Sequence, residues 1–364
     1  MKMMVSGTQI FWILVSMEIG AGLLIIISPT ISLSKQDAWI SMIISGGFSV
    51  FLTFLGTKLS LNYPNQTLFE YSQTILGKWF GKFILVPYLI FWYAVVGIVL
   101  RQFAEVVLLV LLPHTPMSLV ILLMLLVVIF VTYQGIEGIG RCCEVIGPIS
   151  MLMIILLFIL MIPDINLKYI LPIYTKSGWI TIGKGALPSY HFFSNEGCWA
   201  MLMLMKFMTN PKEGSSKALW AVAISTFLIS IGTFLVLTVF GPNLGARMWY
   251  PFFTLTGYIQ AFGFVQGLIQ IFTGVWLLSI FIELAFVFFI TCYGTAQFLQ
   301  FKNWKKGIGF VAAIGFSLSL LPQNIIESSV IFPKISFTYF TPICTLFIPI
   351  LLLFIGMIRK KRVQ

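Results

Sequence analysis

Residues 18–29 read EIGAGLLIIISP, which sets a carboxylate and two glycines, two residues apart, inside the first long apolar run of the chain. The setting explains why this is unusual. Of the 364 residues, 59% are hydrophobic and 9% charged, and the mean hydropathy is +1.02, far from the balance of a soluble domain. Hydrocarbon cannot satisfy backbone N–H and C=O groups, so such a chain crosses a bilayer as helices or as a closed barrel. Its apolar runs approach twenty residues and lack the ten-residue alternation of barrel strands, which selects helices. The first run has no clear small-residue cleavage site and is expected to be a first span rather than a leader.

Ten spans are expected, at roughly 8–28, 37–59, 83–111, 117–135, 143–162, 185–208, 217–240, 268–298, 307–322 and 337–358, in a single transmembrane domain over 1–364. Lys and Arg gather in cytoplasmic loops. With the N-terminus inside, the inner segments hold Lys2, Lys58, Lys78, Lys82, Arg141, Lys206, Lys212, Lys217, Lys302, Lys305, Lys306, Arg359, Lys360, Lys361 and Arg362. The outer ones hold only Lys35, Lys168, Lys176, Lys184, Arg247 and Lys334. This asymmetry predicts cytoplasmic termini. The net charge of +11 is then a matter of topology and of attraction to anionic lipid heads, with no nucleic-acid partner. Between spans two and three, PNQTLFEYSQTILGKWFGK is too polar to cross, yet Leu68, Tyr71, Ile75 and Trp79 keep helical spacing, which predicts an amphipathic helix on the interface. The loop PDINLKYILPIYTKSGWITIG, rich in Pro, Gly and aromatics, is read as a cap over an outward-facing vestibule.

Gly20 and Gly22 weaken helical continuity and admit close approach of a backbone or ligand. In span six, YHFFSNEGCWAML puts Ser194, Asn195, Glu196 and Gly197 amid apolar residues. Unwound backbone at mid-membrane is tolerated where it lines a cavity, so both stretches are predicted to be interruptions around a binding site. Ten spans taken as two fives make spans one and six the first members of inverted repeats, 8–162 and 185–358, and paired interruptions in such halves mark a transporter-like site. Half-helix N-termini would offer positive dipole ends to a carboxylate, which points to an amino acid or similar zwitterion. The alternative use of such glycines is close helix packing.

GAGLL (20–24), DAWI (37–40), LFEYSQTILGKWFGK (68–82), RQFAEVVLLVLLPHTP (101–116), NEGCWAMLML (195–204) and LSLLP (318–322) together resemble the B subunit of endospore germinant receptors, in the same order over essentially the whole chain. That family is similar to amino acid permeases of the amino acid–polyamine–organocation superfamily. The resemblance implies an all-α integral membrane fold of ten transmembrane helices, in two inverted five-helix repeats with broken helices 1 and 6. It also implies a protein of the spore inner membrane that senses a nutrient germinant together with an A subunit and a lipoprotein C subunit. The family's charged pattern ahead of span eight, roughly ERFE, is replaced here by FVQGLIQ with Gln266 and Gln270, while Glu283 stands where small hydroxyl or apolar residues are more usual.

A charge inside hydrocarbon costs about 2.5–3.5 kcal/mol by insertion scales, so Glu18, Arg101, Glu105, Glu196 and Glu283 each need a reason. Arg101 and Glu105 are four apart on one helix face and are expected to form a structural ion pair, with gating as the alternative. The three other carboxyls have no partner nearby in sequence. They are left to accept backbone N–H groups, to bind a ligand amino group, or to carry a proton. The permease fold implied by the resemblance surrounds its ligand with spans one, three, six and eight. Ligand-binding candidates are therefore Glu18, Gly20, Ala21 and Gly22; Phe91, Val95 and Ile98, which share a face with Gln102; Phe193 as an apolar lid, with Ser194, Asn195, Glu196 and Gly197; and Glu283. No enzyme, cofactor or metal is expected. His114 and His191 are far apart, the five cysteines form no CxxC pair, and GWITIGKG lacks the hydroxyl residue of a phosphate loop. The function expected is a germinant-sensing subunit; the alternatives are a proton- or sodium-coupled amino acid transporter and a scaffold that binds nothing.

Overall fold

The computed structural model describes residues 3–173, 178–258 and 268–363, with the side chains of 191–194, 336–337 and 360–363 left out; Gln266 lies outside the described residues. The first span starts as α1 (Gly7–Ala21), fixed by a capping box in which Gln9 N–H donates to Ser6 Oγ (3.1 Å) and Ser6 N–H to Gln9 Oε1 (3.0 Å). At Gly22 the helix widens into a π-helical turn, Gly22–Ile26, and then resumes as α2 (Ile27–Ser34). The expected interruption is therefore a change of hydrogen-bond register, a form π turns take in membrane helices and at functional sites. After α3 (Ala38–Leu61) come the short helices α4 (Leu68–Leu76) and α5 (Lys78–Phe83). In α4, Leu68, Phe69, Tyr71 and Ile75 are buried, whereas Trp79, Phe80 and Phe83 of α5 face outward, which suits a segment lying along an interface.

The chain continues through α6 (Val86–Val110), α7 (Met117–Tyr133) and α8 (Gly135–Leu160), then α9 (Gly178–Leu204) and α10 (Pro211–Gly245), which kinks at Gly241 (φ 73°) ahead of Pro242. Next are α11 (Pro251–Tyr258), α12 (Leu268–Leu299) and α13 (Gly307–Ser319). The last span is the least regular. π turns at Glu327–Ile331, Ser336–Phe340 and Ile343–Phe347 alternate with α14 (Phe332–Ile335) before α15 (Ile348–Val363). Helical segments thus lie at all ten expected positions. Six stretches among the described residues are long and apolar enough to cross a bilayer, the first of them, Gly7–Leu61, covering two expected spans; length and composition alone do not establish ten crossings.

Two expectations about span six are corrected. Its helix begins at Gly178, not near 185: despite Gly183 and Gly185 the segment stays helical, and its inner side is held, Ser41 Oγ donating to Ile182 O (2.8 Å) and Ser34 Oγ to Thr181 O (3.3 Å). Residues 194–197 do not unwind; they lie inside a continuous α-helix. Pro188 is carried inside the same helix, where it has no N–H for the carbonyl four residues before it.

The packing is centred on α1 and α12. α1 meets α8, α10 and α12, and α3 lies across α9 and α10. Gly46 marks how close the α3–α10 approach is, since a Cβ there would fall 1.8 Å from Thr226 Cγ2. One end of the bundle gathers both termini. There Val5 pairs with the segment after α9 (Val5 N to Phe207 O 2.7 Å, Thr209 N to Val5 O 2.9 Å), and Glu70 both accepts the Thr67 N–H (2.8 Å) and pairs with Lys206. Glu70 of the LFEY stretch thereby ties the interface helix to the base of the bundle.

Gly46→Val should destabilise the protein by about 1–3 kcal/mol through overpacking against Thr226. Gly47→Val is the control, because its Cβ meets nothing within 4 Å. Thermal unfolding of both variants in detergent should show a lowered midpoint for Gly46→Val only.

Candidate functional site

A cavity of about 80 Å³ lies where the first span's π turn faces α6, α9, α12 and α14. The π turn contributes Ile25 and Ile26. α6 contributes Val95, Ile98, Val99 and Gln102, whose spacing of three and four puts them on one face. α9 supplies Asn195, Glu196 and Trp199; α12 supplies Glu283 and Val287, one turn apart; Pro333 closes the side toward the last span. Asn195, Glu196 and Glu283 are 4%, 4% and 6% exposed. Oδ1 of Asn195 and Oε2 of each glutamate have no hydrogen-bond partner. An unpaired buried oxygen costs free energy, so three on one small wall mark a place built to receive something. Glu18 is fully buried behind this wall, with neither carboxyl oxygen paired, beside Ser225 of α10 and within electrostatic reach of Glu196.

A second cavity, of about 270 Å³, sits toward the end of the bundle away from the termini and shares Ile25 and Gln102 with the first. Its walls include Ser28, Pro29 and Ser32 of α2, Arg247, Trp249 and Tyr250 from the turn before α11, and Trp276 of α12. The neck between the cavities is tied to the last span. Gln102 Nε2 donates to Ser328 O (3.2 Å) and Ser328 Oγ to Glu105 Oε2 (2.6 Å), while Arg101 Nε donates to Glu105 Oε1 (2.7 Å). Both members of that ion pair are nearly buried, at 9% and 7% side-chain exposure. Burial, reinforced by the Glu105 carboxylate, pushes the Tyr250 hydroxyl up to about 12, so it lines the outer cavity as a neutral hydroxyl.

Of the sequence-derived candidates, Val95, Ile98, Asn195, Glu196 and Glu283 come together on the inner cavity. Phe91 sits beyond its edge, fully buried against Trp199 (ring centroids 5.0 Å) and Phe340 (5.8 Å). Glu18, Gly20, Ala21 and Gly22 are not on its wall. Gly20 instead gives α12 room, its Cβ position lying 2.2 Å from Ser279 Cβ. Gly197 is turned toward α3 and α10, with Thr53 Oγ1 at 2.3 Å and Val222 Cγ2 at 2.9 Å from its Cβ position. These glycines serve helix packing. The side chains of Phe193 and Ser194 lie outside the described residues. Trp199, Val99 and Val287 were missed, although each stands one helical turn beyond a residue that was found. Ile25 and Ile26 were obscured by the glycines before them, and Pro333 by the irregular last span. The site offers no nucleophile beside a base, and no group of three metal-ligating side chains occurs among the described residues.

Comparison with known proteins bears on family and fold. The family described as "Spore germination protein" matches residues 4–328. Among curated relatives, spore germination protein YndE of Bacillus subtilis (strain 168) is 24% identical over 98% of this chain and 97% of its own length. Among solved structures, Mhp1, a nucleobase-cation-symport-1 family transporter in a closed conformation with bromovinylhydantoin bound, matches with a TM-score of 0.62 at 14% identity, over 94% of this chain and 78% of its own. MhsT in complex with L-phenylalanine matches with a TM-score of 0.61 at 11% identity, over 98% and 99%. At such identities these likenesses establish a LeuT-like transporter fold.

Arg101→Ala leaves Glu105 buried without its charge partner and should cost about 3–5 kcal/mol, seen as less folded protein in the membrane fraction. The double variant Arg101→Ala/Glu105→Ala should recover part of that loss, since it removes the stranded carboxylate as well.

Proposed function

The chain belongs to the spore germination protein family, and from that premise we propose that it is the membrane-embedded, germinant-sensing subunit of a spore germinant receptor. In this reading a nutrient, an amino acid or similar small molecule, enters through the outer cavity and settles in the inner one. There it shifts an equilibrium between conformers that an A subunit and a lipoprotein C subunit read in the spore inner membrane. A ligand can do this only through differential affinity for the two conformers. The observation that carries the proposal is the inner wall of Asn195, Glu196 and Glu283, whose unpartnered oxygens lie behind a neck shared with the outer cavity.

The cation distribution supports cytoplasmic termini and an outward-facing outer cavity. Lys58, Lys78, Lys82, Lys206 and Arg359 belong to segments at the end that bears the termini, and Arg247 to the other. The π turn after Gly22 and Pro188 in α9 fall in corresponding spans, which supports two inverted repeats, 8–162 and 185–358. A second reading, secondary transport of an amino acid coupled to protons or sodium, is favoured by the transporter fold and by the buried Glu18, Glu196 and Glu283.

Val99→Phe fills the inner cavity from one wall without touching the ion pair. Spores carrying it should contain normal amounts of the protein yet fail to germinate with nutrients; a normal response would favour a scaffold. Concentrative uptake of labelled amino acids by the isolated chain in proteoliposomes would favour the transporter.

A further inference from the structure

We infer that the inner cavity selects a small organic cation, an ammonium-bearing molecule whose charge is not balanced by a carboxylate. The inference rests on the reading of that cavity as the ligand site and, among the small nutrients proposed for it, selects an amine in place of a zwitterionic amino acid. Glu196 and Glu283 approach it from different helices, and Asn195 adds an amide oxygen; all three are more than nine-tenths buried and present acceptors without donors. No basic side chain is on the wall among the described residues. Arg101, on the neighbouring turn of α6, already donates to Glu105, and the Gln102 amide donates to Ser328 O. Trp199 brings a single neutral N–H.

Among the described residues the wall also lacks a positively charged anchor for a zwitterion's carboxylate; its donors are the neutral Asn195 amide and the unpaired Trp199 indole N–H. A helix N-terminus at 194–197 would have supplied one, but α9 is continuous there and its N–H groups are spent within the helix. What remains is acidic on two sides, amide-lined at Asn195 and Gln102 and otherwise apolar, with the Trp199 ring as a surface on which a cation is favoured. Two carboxylates in a dry cavity repel each other and are poorly solvated, whereas a cation between them answers both. At about 80 Å³ the space suits a short amine rather than a long one.

The test uses the full chain purified in detergent, with n-propylamine, L-alanine and propionate as size-matched cation, zwitterion and anion at one pH and ionic strength. Thermal stabilisation and calorimetric affinity are the readouts. Propylamine should bind and stabilise, while alanine and propionate should bind at least about tenfold more weakly. Glu283→Gln should weaken propylamine at least about tenfold and leave the fold intact; Glu196→Gln makes the same comparison should Glu283→Gln fail to fold. Alanine binding as tightly as propylamine, unchanged in Glu283→Gln and lost in Val99→Phe, would overturn the cation class and leave the cavity as the ligand site. Absence of propylamine binding in a folded sample would also overturn it, and the germination response of Val99→Phe spores then decides the wider reading on its own.

Discussion

Hydrocarbon supplies no hydrogen bonds, and this one fact orders the molecule. Each polar group held inside the bundle must find a partner in the protein or be there for something that arrives. Most of the interior complies. Ser49, Thr53, Ser230, Thr233, Thr291 and Thr345 return their hydroxyls to the carbonyl four residues back on their own helices. Arg101 and Glu105 answer each other, and the second oxygen of Glu105 is taken by Ser328. Several hydroxyls and indole N–H groups are also left unpaired, but the carboxyls of Glu18, Glu196 and Glu283 are the costliest groups among them, because each can carry a full charge.

Much of this was readable from residue types. Composition forced helices, and i, i+3 and i+4 spacing on span three picked the wall formed by Val95, Ile98 and Gln102. Charge in an apolar run picked Glu196 and Glu283 for the same reason: expense in hydrocarbon is visible without coordinates. Glycine proved ambiguous. Gly20 and Gly197 look alike in sequence to residues that open a helix for a ligand, yet their neighbours Ser279 and Thr53 come from distant parts of the chain, and only tertiary packing tells which use is made. The form of the interruption was equally hidden, because π and unwound backbone draw on the same small residues.

The last span was the least legible segment, and the structure gives a reason. From Glu327 to Phe347 it alternates between π and α hydrogen bonding, so no single period of apolar residues describes it. Its Ser328 and Pro333 belong to the neck and to the inner wall, contributions that a search for regular amphipathic faces passes over.

That irregularity also gives a bound molecule a means of acting on the rest of the bundle. Gln102 borders both cavities, and its amide holds the carbonyl of Ser328, whose hydroxyl is in turn held by Glu105. A ligand that draws the Gln102 side chain inward would compete with Ser328 for it and loosen one of the ties between α6 and the last span. A regular α-helix would resist such a pull with its own ladder of bonds. A stretch already divided among π turns has neighbouring registers of similar energy, so exchanging one side-chain bond can favour another arrangement. In the proposed sensing reading, the neck is where occupancy of a small buried space would become movement of a whole span.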